Sequence, residues 1–210
     1  MGVLLAVEGI CCSGKSTFCN NLISKLNSFG LDAYYNHGAF TYTDIGKEFK
    51  LLSQNMDCPI GTSFYICDLI INTQNIIKPL INNNHVIIQD RYYDSIATYI
   101  AAYGKHISKN YNIDSLINRL KENDILMIPT ITIYCIPPFE VVIKRLQNSK
   151  NSLIHNFYRQ NLDFFRLVYE ENVIRSNINN NSLVVDTSSS KSIEKSINEI
   201  LKAIKEVHYE

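Results

Sequence analysis

Gly9-Ile10-Cys11-Cys12-Ser13-Gly14-Lys15-Ser16-Thr17 fits the pattern G-x-x-x-x-G-K-S/T and follows at once on the apolar run Val3-Leu4-Leu5-Ala6-Val7. A glycine-rich stretch alone is as readily a linker. Set between a strand pattern and a helix pattern, it has a mechanism. Backbone N–H groups of Cys11 to Ser16 converge where a helix begins and can wrap a polyphosphate; Lys15 can reach its β and γ groups, and the Ser16 hydroxyl can ligate magnesium. Gly9 to Thr17 is therefore read as the binding loop for a nucleoside triphosphate.

The flanking sequence supplies the frame that such a loop needs. Val3–Val7, Asp32–Asn36, His85–Gln89, Ile131–Ile136 and Leu183–Asp186 read as strands, several of them apolar without polar alternation, as strands buried on both faces are. Helical spacing fills the intervals. Leu22, Ile23, Leu26 and Phe29 recur on one face and stop at Gly30. Further helices are expected over 63–81, 94–103, 113–123, 139–147, 156–176 and 192–207. Alternating strands and helices predict an α/β fold with a parallel sheet covered on both faces, and ligands in such sheets bind beyond the carboxyl ends of the strands. The expected site thus lies near Gly9, His37, Asp90 and Pro137, within a single domain over 1–210.

Bulk properties narrow the function further. Twenty Lys and Arg balance twenty Asp and Glu, so a broad polyanion surface is not indicated and nucleic acid is not an expected partner. The amino-terminal apolar stretch is broken by Glu8 and is too short to cross a bilayer. A soluble, cytoplasmic protein without membrane attachment is expected. The six cysteines show no paired metal spacing, and two lie within the loop, so they are read as reduced thiols.

A second cluster follows the third strand: Gln89-Asp90-Arg91-Tyr92-Tyr93-Asp94-Ser95. A carboxylate just past a buried strand can hold magnesium or accept a hydroxyl proton, and Arg91 can grip a phosphate with a bidentate fork. An Asp capping the next helix with Arg91 paired to it is the alternative reading. Asp94 is equally a cap or a site residue, and Glu8 equally a brace of the loop or a contact of the acceptor. Tyr92, Tyr93 and Tyr99 could stack on a base or form a wall.

Val7-Glu8-Gly9 leading into Gly14-Lys15-Ser16-Thr17, then Asp90-Arg91-Tyr92-x-Asp94-Ser95-x-x-x-Tyr99, resembles the thymidylate kinase family. Supporting matches are Ile45-Gly46-x-Glu48, Pro138-x-Glu140-x-x-x-x-Arg145, Phe164-Phe165-x-x-Val168 and Val185-Asp186. The resemblance implies a P-loop kinase fold with a five-stranded parallel sheet and a short lid near 145–158. It implies ATP with Mg2+ as donor, a deoxynucleoside monophosphate as acceptor, and a homodimer. On that basis Lys15, Asp90, Arg91 and a lid cation from Arg145, Lys150 or Arg159 are the expected catalytic groups. Ser16 and Asp90 hold the metal, and Glu8, His37, Tyr65, Arg91 and Tyr99 face the acceptor.

The chain departs from the family on the acceptor side. Cys11 stands where the family carries an acidic residue; Asn36-His37-Gly38-Ala39 replaces its Arg-Glu-Pro segment; and the arginine that reads the thymine edge falls at Leu69, counting back from Pro79. Ile100 stands for its glutamine, and His155-Asn156 for an Asp-Arg pair in the lid. These losses keep a second reading open, a nucleoside or deoxynucleoside kinase on the same scaffold, because a neutral acceptor needs no second phosphate grip. A non-catalytic nucleotide switch is the third reading, weakened by the absence of an Asn-Lys-x-Asp signature.

Overall fold

The computed structural model describes residues 2–37, 47–48, 58–150 and 152–208. Gly38-Ala39 and Ile45-Gly46 lie outside the described residues. Five strands, β1 (Val3–Glu8), β2 (Ala33–His37), β3 (Val86–Asp90), β4 (Ile131–Cys135) and β5 (Ser182–Val185), form one parallel sheet in the order β2-β3-β1-β4-β5. Each lies within one residue of its expected position. The two central strands read as continuous apolar runs because both of their faces are covered. On β1, Val3, Leu5 and Val7 pack with Phe18, Leu22 and Leu26 on one side; Leu4 and Ala6 pack with Ile87, Tyr92 and Ala97 on the other.

Helix α1 (Lys15–Ser28) starts directly from the loop, on Gly14 at φ 89°. It ends at Gly30, whose φ of 75° lets the Leu31 N–H turn back to the Leu26 carbonyl at 3.2 Å. With α9 (Ser190–His208) it covers the Val3, Leu5 and Val7 face. The opposite face carries α2 (Cys58–Asn72), α3 (Lys78–Asn82), α4 (Tyr93–His106) and α5 (Asp114–Glu122). The third body of core packs α6 (Phe139–Asn148), α7 (Leu153–Gln160) and α8 (Leu162–Ile178) around Ile10, Leu146, Tyr158 and Phe165.

Two departures from the expected pattern matter for the site. The single helix expected over 156–176 is two, broken at Asn161 (φ −127°, ψ 57°), and the expected lid segment divides between the end of α6 and the whole of α7. The helix expected over 63–81 starts earlier and contains a π turn, Thr73–Ile77, where the Lys78 N–H bonds to the Thr73 carbonyl. A π turn takes up about one residue more than an α turn, so the part of the helix before it is rotated relative to a regular count. Leu69 accordingly faces the core with Leu4, Ile87 and Tyr92, 7% exposed, and not the acceptor side that counting back from Pro79 implied.

Candidate active site

Parallel pairing sets the strand ends side by side. Asp90 stands opposite Val7 on β1 and opposite His37 on β2. The loop after β1 wraps the space in front of them. Gly9 (φ 144°) leaves no room for a side chain, since a Cβ there would lie 2.7 Å from Ser13 Oγ and 2.8 Å from the Cys135 carbonyl oxygen. Cys12 is left-handed at φ 61°, and the buried Ser13 hydroxyl has no partner. Ile10 anchors the loop in the core below; Cys11 and Cys12 are half-buried, and Ser16 and Thr17 are exposed at the helix start.

Lys15 is not solvent-facing. It is 6% exposed and its ammonium donates to the Ile10 carbonyl at 2.8 Å, folding the loop back on itself. Burial draws its pKa down to about 8, helped by Arg91 and opposed by Asp90. An anionic oxygen in place of that carbonyl would raise it again.

Asp90 is buried, yet ionised: burial pushes its pKa up, but hydrogen bonding from His37, the charges of Lys15 and Arg91, and the Tyr35 hydroxyl bring it to about 2. One oxygen accepts from Tyr35 at 2.9 Å and faces His37 Nδ1 at 3.3 Å; the other, Oδ1, is buried with no partner. Tyr35 also has the Ser16 side chain as a hydrogen-bonding neighbour. An unpartnered carboxylate oxygen and a serine hydroxyl that share Tyr35 as a neighbour make an all-oxygen donor set of the kind magnesium takes, and these residues fit it.

Arg91 sits at φ 68°, its N–H bonded to the Val7 carbonyl at 2.9 Å. This turn brings the guanidinium across to the loop. Nη1 donates to the Gly9 carbonyl at 3.2 Å, with the charge 5.9 Å from the centre of the Tyr99 ring. Glu8, at the end of β1, braces the same turn: one oxygen accepts the Tyr92 N–H at 3.0 Å and the other the Ser95 hydroxyl at the start of α4. Asp94 faces the other way, accepting from Tyr134 at 2.6 Å with Arg175 at 3.9 Å.

The two arginines expected in the lid are engaged elsewhere. Arg145, on α6, donates to the Thr187 carbonyl at 2.8 Å and its hydroxyl at 3.2 Å, and Thr187 in turn donates to the Ser13 carbonyl. The guanidinium therefore buttresses the loop beside Gly14. Arg159 closes the end of α6, donating to the carbonyls of Leu146 at 2.8 Å and Ser149 at 2.7 Å. Lys150 is exposed between the two helices. From α7, His155 Nε2 reaches Cys12 Sγ at 3.9 Å, so the lid touches the loop through that pair. The Cys11 thiol is drawn down to about 5 by hydrogen bonding with Cys12, against its burial, with Arg91, His155 and Lys15 nearby.

On the acceptor side the sequence reading missed a buried polar wall. Asn36 donates to Asn72 at 2.9 Å and to Gln89 at 2.6 Å, Gln89 donates to the Arg91 carbonyl at 2.8 Å, and Asn36 Oδ1 is unpartnered. The signal was present as amides interrupting the otherwise apolar strand ends. Asp68, one turn before Asn72, is 5% exposed, whereas Tyr65 is half-buried one turn before Leu69.

Comparison with known proteins gives one answer along the chain. A profile described as thymidylate kinase matches residues 7–200. The thymidylate kinase of Sulfurihydrogenibium sp. (strain YO3AOP1) is 31% identical over 158 residues, covering 73% of this chain and 74% of its own. That of Aster yellows witches'-broom phytoplasma (strain AYWB) is 26% identical over 208 residues, 98% of both chains.

Burial of Glu8, with Asp94 nearby, raises its pKa from 4.5 to about 7 against the hydrogen bonds from Ser95 and Tyr92. The folded state then holds a proton that the unfolded chain releases, so this group removes stability as pH rises from 4.5 through 7. Glu8→Gln keeps an acceptor for Tyr92 without the charge. Its stability relative to wild type, from urea unfolding, is expected to increase by about 1–3 kcal/mol between pH 5 and pH 8. A constant difference over that range would place the Glu8 proton elsewhere.

Proposed function

Because the chain belongs to the thymidylate kinase family and is thus an ATP-dependent nucleoside monophosphate kinase, we propose that its acceptor is thymidylate and that transfer runs across the ends of β1 and β3. The meeting of Lys15, Asp90 and Arg91 at those ends carries this reading. The loop amides and Lys15 hold the donor's phosphates. Ser16 and the unpartnered Asp90 Oδ1 would hold magnesium, which would supply charge neutralisation for the donor's phosphates. Arg91 leaves the Gly9 carbonyl for the acceptor phosphate, and Tyr99 supports its guanidinium. Arg145 acts by stiffening the loop through Thr187. Phosphoryl transfer needs this alignment and charge neutralisation more than covalent help from the protein.

The described cysteines are free thiols, in keeping with a reducing, cytoplasmic setting, and among the described residues no helix is long and apolar enough to cross a membrane. The proposal includes a homodimer through the outer face of α2, where Ile60 is 52% exposed. Sedimentation equilibrium should return twice the chain mass; a monomer at micromolar concentration would remove this part.

A coupled ADP assay separates the acceptor classes. ADP is expected with thymidylate and ATP, and not with thymidine. Arg91→Ala should raise the KM for thymidylate about 10- to 100-fold while changing that for ATP little, since a charge-assisted contact of about 1.5–3 kcal/mol is lost. Equal losses for both substrates would make Arg91 a donor contact.

Counting the π turn as one added residue, the base-side positions become Phe64 and Asp68 in place of Tyr65 and Leu69. A carboxylate at this position accepts hydrogen bonds and does not donate them, so it suits the thymine N3–H and not the carbonyl beside it. Asp68→Asn, which keeps the size of this buried side chain and supplies a donor, should raise kcat/KM for thymidylate over deoxycytidylate severalfold. Leu69→Arg, which puts a charge among Leu4, Ile87 and Tyr92, should instead lower stability by about 3 kcal/mol or more. The opposite pattern in the two variants would restore the regular count along α2.

A further inference from the structure

Cys11, Cys12 and His155 bring three metal-binding atoms within 4.8 Å of one another, from two segments 143 residues apart. Magnesium chemistry does not account for them, because a hard cation takes oxygen ligands and two thiols with an imidazole are a soft set. Their spacing can be tested against a real coordination sphere. Bond lengths of about 2.3 Å to sulfur and 2.0–2.1 Å to nitrogen at tetrahedral angles require about 3.8 Å between two sulfurs and about 3.6 Å between sulfur and nitrogen. The structure has 3.9 Å between the Cys11 and Cys12 sulfurs and 3.9 Å from Cys12 Sγ to His155 Nε2. Two edges of the tetrahedron are thus formed to within a few tenths of an ångström.

The imidazole is also oriented for the task. His155 Nδ1 lies 3.1 Å from the Lys150 carbonyl oxygen, which can only accept, so Nδ1 carries the proton. In that tautomer Nε2 turns its lone pair toward Cys12, the arrangement in which a backbone carbonyl fixes the tautomer of a metal-ligating histidine. Both cysteines are half-buried, which leaves them reachable.

We propose that Cys11, Cys12 and His155 form a binding site for a soft divalent cation of the zinc class, with its fourth position open, that pins lid helix α7 to the phosphate loop. The site does not depend on which nucleotide the enzyme uses. It adds a second metal chemistry, distinct in ligands from the Ser16 and Asp90 set.

Titration of the tag-free, reduced protein with cobalt(II), followed by absorption, tests this without reference to catalysis. One equivalent is expected to give a thiolate-to-cobalt band in the near ultraviolet and tetrahedral bands in the visible, both displaced by zinc. Cys12→Ser should weaken the thiolate band, and His155→Ala should weaken cobalt binding about tenfold or more. Zinc should also slow tryptic cleavage after the exposed Lys150 in the wild type and not in His155→Ala. No thiolate band, or wild-type cobalt affinity in His155→Ala, would overturn the site. Cleavage indifferent to zinc would overturn the pinning of the lid.

Discussion

Parallel register is the constraint on which the site rests. Pairing β1 with β3 and β3 with β2 puts Val7, Asp90 and His37 in one row, and the chain leaves all three strands on the same side. A slip of one residue in any pair would turn Asp90 into the core and an apolar neighbour out. The central strands resist such a slip because their alternate residues are committed to two different cores. Hydrophobic packing thereby fixes a carboxylate, a loop and an arginine within reach of one another.

Charge at this row is managed by giving each ionisable group a different environment. Glu8 is desolvated and bonded inward, so it resists ionisation; Asp90 is as deeply placed but is met by Lys15, Arg91, Tyr35 and His37, and ionises easily. Lys15 and Arg91 each satisfy a carbonyl of the phosphate loop, those of Ile10 and Gly9. The loop is therefore held by its own cations in the shape that a polyphosphate would otherwise impose.

Local patterns revealed much of this in advance. The strand runs, the loop and the Asp90-Arg91 turn were legible because each is a short stretch whose chemistry is complete in itself. Long-range partnerships were not. Nothing near Arg145 says that Thr187 will receive it, and nothing near Arg159 says that the end of α6 will lie against it. The wall of Asn36, Gln89 and Asn72 joins three elements, and single polar residues in apolar runs were its only local trace. Leu69 was misplaced for a further reason, since counting along a helix assumes a constant turn.

That turn at Thr73–Ile77 buries Thr73 and Ile77, the latter in the core with Leu4 and Ile87. Removing one residue there would restore a regular helix and rotate everything before it by about 100°, exchanging the stripe of Asp68 for that of Leu69. Lineages carrying this fold could thus alter what the pocket presents through a single-codon insertion or deletion at a distance, without substituting any residue of the helix before it.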